Sequence, residues 1–290
     1  MTEYVHVNGE LTPATDATVS VQDRGFLYGD GVFETIRVYG GSAFAWDAHM
    51  DRLHGSCAVL GLEHTVTDAE LEAWMHEVLE ANGYEDAYVR ISITRGAQPG
   101  RLTPAREVDP TIVILVEPLP RGGTSGLSTW DTPATVTIAD IERMPDASIP
   151  AHAKTLNYLN GILARLEART AQVDEALMVD AAGLITEGAT SNVFLVRDEV
   201  LYTPATDTSP VLPGITRATV MDLAEELSIP VEQTHLYPRD VRDADEVFLT
   251  NTTSEVWPVA SIDEEEYPVG PITETLAEAF DTYVEEHHYG

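Results

Sequence analysis

Short apolar runs rich in β-branched residues, cut at close intervals by glycine, proline and aspartate, recur along this chain and limit what it can fold into. AYVRISITRG and TIVILVEPL are continuous enough for buried strands, and TVTIAD, EALMVD, GLITEG, NVFLVRD, VLYTP and ADEVFLTN repeat the pattern in the second half. Segments of helical spacing lie between them. Met50, Leu53, Cys57 and Leu60 fall near one face of a helix, and Thr67 with Glu70 makes a capping-box pattern before LEAWMHEVLEANG, which Gly83 ends. Further helices are expected from about Lys154 to Thr170, over LPGITRATVMDLAEELSI opened by Gly214, and over TETLAEAFDTYVEEHHYG. The expected class is α+β. PLPRGGTSG, at 118–126, interrupts strand-like sequence with two prolines and three glycines. It is read as the boundary between a smaller N-terminal domain over 1–120 and a larger strand-rich domain over 127–290, with 121–126 as linker.

A chain of 290 residues that is 43% apolar can bury a substantial core. Its 49 acidic and 16 basic residues give a formal net charge of −33. Self-repulsion of that size is screened at about 1 M salt, where the Debye length is about 3 Å, so the composition fits the cytosol of a salt-accumulating halophile. It excludes nucleic acid and anionic membranes as partners, which call for clustered Lys and Arg. The N-terminus MTEYVHVNGE has neither a basic start nor an apolar stretch, and no run of about 18 apolar residues occurs; a soluble cytoplasmic protein is expected. Cys57 is the single cysteine, which excludes an internal disulfide and a thiolate metal cluster and predicts a buried apolar thiol.

The basic residues divide into 15 arginines and one lysine, Lys154. A chain that uses arginine almost everywhere and retains one amine retains it for chemistry that a guanidinium does not perform: losing a proton and forming an imine. LPGITR, at 212–217, has a second chemical signature, because Gly214 permits a tight backbone approach and the N–H groups of Ile215 and Thr216 at a helix start can hold an anion.

KTLNYLN around Lys154 resembles the cofactor-lysine motif of the class IV aminotransferases, the fold-type IV pyridoxal-phosphate enzymes, and the family's motifs recur in order from about residue 4 to residue 280. That family includes branched-chain aminotransferases, D-amino acid aminotransferases and 4-amino-4-deoxychorismate lyases. The resemblance implies a two-domain fold-type IV enzyme in which Lys154 carries pyridoxal 5'-phosphate as a Schiff base. It implies that Glu187 in ITEGATSNVFLV faces the pyridine nitrogen, and that the LPGITR loop, Arg52 and Thr252 hold the phosphate. The resemblance further implies that Leu212 packs on the ring and that Tyr158 lies near its phenolic oxygen. Tyr28, Phe33 and Thr35 in RGFLYGDGVFETIRVY are implied on the substrate side, with Tyr28 serving the neighbouring subunit of a homodimer with shared active sites. Arg90 and Arg101 are the candidates for a substrate carboxylate. For Arg37, Arg90 and Arg95 a plain ion pair is an equal alternative in so acidic a chain.

Two positions lean towards the lyase, which forms 4-aminobenzoate and pyruvate. FETIR has Thr35 where branched-chain enzymes have glycine, and Asn251 replaces the glycine of their GTAAE segment. Larger polar groups shrink an apolar pocket and add hydrogen-bonding partners, which suits an oxygen-rich ring. TTSEV, with Thr253, leans towards D-amino acid aminotransferases. The rest of the chain resembles archaeal branched-chain enzymes, so the alternative to the lyase is a transaminase that acts on a branched-chain L-amino acid or a D-amino acid with 2-oxoglutarate.

Overall fold

The computed structural model describes residues 3–106, 109–121 and 132–290, and they form two compact units. Apart from Arg121, the linker expected at 121–126 lies outside the described residues. The mixed helix and strand content is that of an α+β protein. No helix among the described residues is long and apolar enough to cross a membrane.

The first unit holds the described residues up to Arg121, a returning segment Ala153–Tyr158, and Tyr289. Its elements are β1 (Tyr4–Val7), β2 (Glu10–Pro13), α1 (Arg24–Tyr28), β3 (Gly31–Tyr39), β4 (Ser42–Ala43), α2 (Trp46–Leu60), α3 (Asp68–Asn82), β5 (Ala87–Thr94) and β6 (Thr111–Pro118). The strands form one antiparallel sheet in the order β2-β1-β6-β5-β3-β4. On β3 and β5 the side chains alternate between faces. Val32, Ile36, Val38, Val89, Ile91 and Ile93 meet Met50, Leu53 and Cys57 of α2 and Leu71, Met75 and Leu79 of α3. Each such side chain contributes about 1.5–3 kcal/mol on burial. The other face carries Phe33, Thr35 and Arg37 opposite Ser92, Arg90 and Tyr88. Cys57 is a free, buried thiol as expected, and burial pushes its pKa up to about 11. The Thr67–Glu70 capping box opens α3, and Gly83 closes it at φ 71°.

The returning segment departs from the sequence expectation. Lys154 does not begin a helix; its backbone is docked on β3, with the Phe33 N–H donating to the Lys154 carbonyl at 2.9 Å and the Leu156 N–H to the Gly31 carbonyl at 2.8 Å. The Lys154 N–H donates to Ser56 Oγ at 2.9 Å. Backbone groups committed to β3 and α2 are not available for helical pairing, and the helix starts only at Leu159.

The second unit contains β7 (Ala134–Ile138), α4 (Leu159–Ala171), β8 (Glu175–Val179), β9 (Ile185–Gly188), β10 (Asn192–Arg197), β11 (Val200–Pro204), α5 (Ile215–Glu226), β12 (Val231–Thr234), α6 (Pro238–Arg242), β13 (Glu246–Asn251), β14 (Glu255–Ile262), β15 (Glu265–Glu266) and α7 (Pro271–Val284). Its sheet runs β12-β11-β10-β13-β14-β7-β8-β9, with β15 beside β14. Val193, Leu195, Val247, Leu249, Val259 and Ile262 form part of its core. Ala164 and Ala168 of α4 pack with Ala176 and Met178 of β8, while Leu159, Ile162, Leu163 and Leu166 are exposed. The Glu246 carboxylate accepts the N–H groups of Ile272 and Thr273 and so caps α7. Strand β14 escapes sequence reading because EVWPVASI contains Pro258, which lacks a ladder donor. The sheet accommodates it beside a register shift between Val259 and Ser261.

Candidate active site

Within the first unit, Phe33 is the centre of a cluster that joins three of the sequence-predicted residues. Lys154 Nζ lies 4.6 Å from the centre of the Phe33 ring and 5.5 Å from that of Tyr158. The two rings meet edge to face at 5.3 Å, and the Arg90 guanidinium carbon sits 3.8 Å from the Phe33 centroid. Thr35 is opposite Arg90 in the sheet. An amine and a guanidinium thus flank one aromatic ring. Arg90 also donates from Nε to Ser92 Oγ at 3.2 Å.

Behind Lys154, Ser56 Oγ accepts the lysine N–H and donates to the Arg52 carbonyl at 2.8 Å. The Arg52 side chain forms a two-pronged bond to Glu34, Nε to Oε1 and Nη2 to Oε2, each at 2.7 Å. His49 Nδ1 is 2.8 Å from Glu34 Oε2. Glu34 is fully buried. Burial raises its pKa, but hydrogen bonds from Arg52 and His49 outweigh that and hold it at about 2. Glu34 and His49 are parts of this arrangement that sequence reasoning missed, since neither motif nor spacing shows a carboxylate on β3 facing α2.

A pH dependence follows. The folded pKa of Glu34 lies below its ordinary 4.5. The stabilisation is therefore complete above that value and is lost as pH falls from 4.5 towards 2, with a magnitude on the order of 3 kcal/mol. Denaturant titrations of the wild type and Glu34→Gln should show a stability gap that is widest near neutral pH and narrows through this acid range. A gap constant with pH would contradict the assignment.

Of the other predicted residues in the first unit, Tyr28 is partly exposed on α1, which Asp23 caps and Gly29 closes at φ 67°. Arg101 is exposed. Arg37 is buried with its guanidinium carbon 5.0 Å from the Tyr39 ring centre. Arg95 is a structural clamp, donating to Asp30 and to the carbonyls of Leu60 and Gly61.

In the second unit the end of β9 presents Glu187, which is buried. Its Oε1 accepts from Arg143 Nε at 2.7 Å and its Oε2 from the Leu212 N–H at 2.8 Å. Asn192 Nδ2 donates to the Leu212 carbonyl at 2.9 Å. Glu187 and Asn192 therefore pin both ends of one peptide residue in the loop before α5. A Cβ at Gly214 would lie 1.9 Å from Asn192 Oδ1, so only glycine fits there. Gly214 is also the N-cap of α5 and has no side-chain cap bond. Ile215 and buried Thr216 thus begin a helix whose opening N–H groups suit an anion. Arg143 and Asn192 were not anticipated; their partners are 44 and 20 residues away in sequence.

Asn251 organises a local turn through its side-chain oxygen. Its Oδ1 accepts the Thr253 N–H at 2.9 Å, the Thr253 hydroxyl at 3.0 Å and the Ser254 N–H at 2.7 Å. The side chain shapes the turn at the end of β13, in which Thr252 and Thr253 lie, and its oxygen is committed there.

Each unit by itself presents groups that suit a phosphorylated pyridine aldehyde: the first an amine and a guanidinium about the Phe33 ring, the second an oriented carboxylate and a helix start without a side-chain cap. The amino-transferase class IV family model matches residues 31–262, and the chain belongs to that family. It is 39% identical to a putative branched-chain-amino-acid aminotransferase of Methanocaldococcus jannaschii, over 95% of this chain and 94% of that one. It is 32% identical to a D-alanine aminotransferase of Bacillus licheniformis, over 94% of each chain. Among solved structures, the branched-chain aminotransferase of Thermoproteus uzoniensis with norvaline superposes with a TM-score of 0.91 at 32% identity, covering 99% of this chain and 97% of that chain. The enzyme of Thermobaculum terrenum, solved in its PLP form, gives 0.87 at 29% identity, covering 99% and 95%. Class IV membership makes this chain a pyridoxal-phosphate-dependent enzyme of fold type IV.

Proposed function

We propose that this chain is an amino-acid transaminase that moves the amino group of a branched-chain L-amino acid to 2-oxoglutarate, with Lys154 as the cofactor-bearing residue. The observation that carries the reading is the placement of the only lysine and of Arg90 about the same Phe33 ring, an amine beside a carboxylate-binding guanidinium. Bound pyridoxal phosphate supplies an aldehyde that exchanges amino groups and a ring that accepts electrons as the substrate Cα loses its proton. Lys154 Nζ would take the proton of the substrate Cα as general base. Glu187, oriented by Arg143, would stabilise positive charge on the ring nitrogen, and Leu212 and Tyr158 would help to hold the ring. Arg52, Thr252 and the N–H groups of Ile215 and Thr216 after Gly214 hold the phosphate. Phe33 and Thr35 line the substrate side, Thr253 is a further substrate-binding candidate, and Arg90 or Arg101 pairs with substrate carboxylate.

The transaminase displaces the lyase as the preferred reading because the relatives described above bear transaminase names. A D-amino acid donor is the second reading, favoured by the D-alanine aminotransferase relative and by TTSEV. Exposed Phe26 and Leu27 on α1 and the apolar face of α4 support a homodimer in which Tyr28 serves the partner's site. The acidic composition supports a cytoplasmic enzyme adapted to salt. At molar salt the purified enzyme is expected to form 4-methyl-2-oxopentanoate from L-leucine and 2-oxoglutarate faster than pyruvate from D-alanine. Formation of 4-aminobenzoate from aminodeoxychorismate with no keto-acid exchange would overturn the transaminase assignment.

A further inference from the structure

Arg24 opens α1 and is 3% exposed, yet its side chain belongs to no motif role assigned above. Its Nε donates to Asp30 Oδ2 at 2.6 Å. Its Nη1 donates to the carbonyl of Arg101 at 2.6 Å and its Nη2 to the carbonyl of Leu102 at 2.9 Å. The guanidinium carbon also lies 5.0 Å from the centre of the Tyr28 ring. One planar fork therefore touches both the loop that carries Arg101 and the aromatic side chain of Tyr28.

The loop itself is fastened at its two flanks. The Arg24 N–H donates to the Gly96 carbonyl at 3.0 Å and the Gln98 N–H to the Gln22 carbonyl at 3.1 Å. On the far side, the Ala105 N–H donates to Gln98 Oε1 at 2.9 Å. Between these ties, Arg101 and Leu102 have exposed side chains, Leu102 at 79%. Among the described residues, the hydrogen bonds to their carbonyls from outside the loop come from Arg24. The fork is itself held, because Asp30 accepts from Arg95 Nε at 2.9 Å, and Arg95 is anchored on the carbonyls of Leu60 and Gly61. Asp30 keeps a pKa below the ordinary carboxylate range, since hydrogen bonds from Arg95 and Arg24 outweigh the opposing effect of burial. The anchor stays ionised through the neutral range.

We infer that Arg24 is a positioning residue for substrate recognition, fixing the Arg101 loop and Tyr28 relative to each other so that the guanidinium of Arg101 and the hydroxyl of Tyr28 meet, as one unit, the carboxylate of a substrate in the partner's site. This rests on the reading that Arg101 and Tyr28 face the substrate. Arg24 touches no reacting atom; it acts through the loop. Lysine at this position keeps the charge facing Asp30 but lacks the fork that reaches both carbonyls.

The test is a double-mutant cycle at molar salt on the cofactor-loaded enzyme, with Arg24→Lys, Arg101→Ala and the pair, reading KM for the amino acid separately from kcat. Arg24→Lys is expected to raise KM about tenfold with kcat within about threefold, a loss of binding more than of chemistry. Arg101→Ala is expected to raise KM at least as much, and the pair to match Arg101→Ala alone, because the loop has then lost the group that Arg24 positions. Amide hydrogen exchange over residues 99–106 should be faster in Arg24→Lys, which gives a readout independent of turnover. Should that variant fail to fold, Arg24→Gln enters the same cycle and the same exchange measurement. Effects that multiply in the pair, or an unchanged KM in the Arg24 variant beside a raised one in Arg101→Ala, overturn the inference and leave the reading of Arg101 standing. An unchanged KM in Arg101→Ala overturns both.

Discussion

Lys154→Ala is expected to lower kcat for transamination by about 10⁴-fold, the upper range for loss of a positioned general base. Two functions disappear together, since the methyl group can neither bear the cofactor nor take the Cα proton. The fold should survive. The backbone of Lys154, rather than its side chain, makes the bonds to Phe33 and Ser56 that dock the returning segment on the first unit. Alanine preserves those bonds, so the melting temperature of the variant without cofactor should stay near that of the wild type without cofactor. The visible-edge absorbance of the loaded enzyme should vanish. A variant with wild-type turnover, or one retaining an absorbance that borohydride bleaches, would contradict the role of this amine.

Glu187→Gln comes next in size, with kcat expected to fall by about 10²–10³-fold, the range for removing one oriented charge-stabilising group. The amide is nearly isosteric and can still accept the Leu212 N–H from its carbonyl oxygen, so the loop before α5 should stay in place. What it loses is the negative charge that the proposed function assigns to the ring nitrogen. Arg143 simultaneously loses an ionic partner at 2.7 Å, at a cost of about 1.5–3 kcal/mol in folding stability. Rate and stability therefore separate: turnover falls by orders of magnitude while the protein remains folded and loaded. The measurement is single-turnover kinetics beside thermal unfolding of the same sample. Unchanged kinetics with lowered stability would make Glu187 a structural partner of Arg143 and nothing more.

Much of the arrangement is legible in the sequence because it is written in local signals. The capping box at Thr67 and Glu70, the glycine stop at Gly83 and the Gly214 start of α5 depend on residues a few positions apart, and each stands where those signals put it. The β-branched runs become β5, β6, β10 and β13 for the same reason. The start of α4 escapes because Lys154–Leu156 satisfies its backbone on a strand more than a hundred residues earlier, a tertiary demand that overrides local helical preference. Residues that act on other residues are the least visible. Glu34, Arg143 and Arg24 are ordinary charges in a chain of 49 acidic and 16 basic residues until the fold sets each against its partner. The turn that the Asn251 oxygen organises is likewise set by backbone N–H groups and not by the motif around it.

The single lysine allows a direct chemical test of the central claim. Purified protein loaded with pyridoxal phosphate is reduced with borohydride at molar salt, digested, and its peptides are weighed and fragmented. The account predicts a phosphopyridoxyl group on Lys154 in the peptide containing KTLNYLN, near one per chain. An unmodified Lys154, with the group absent or carried only on the N-terminal amine, would contradict it.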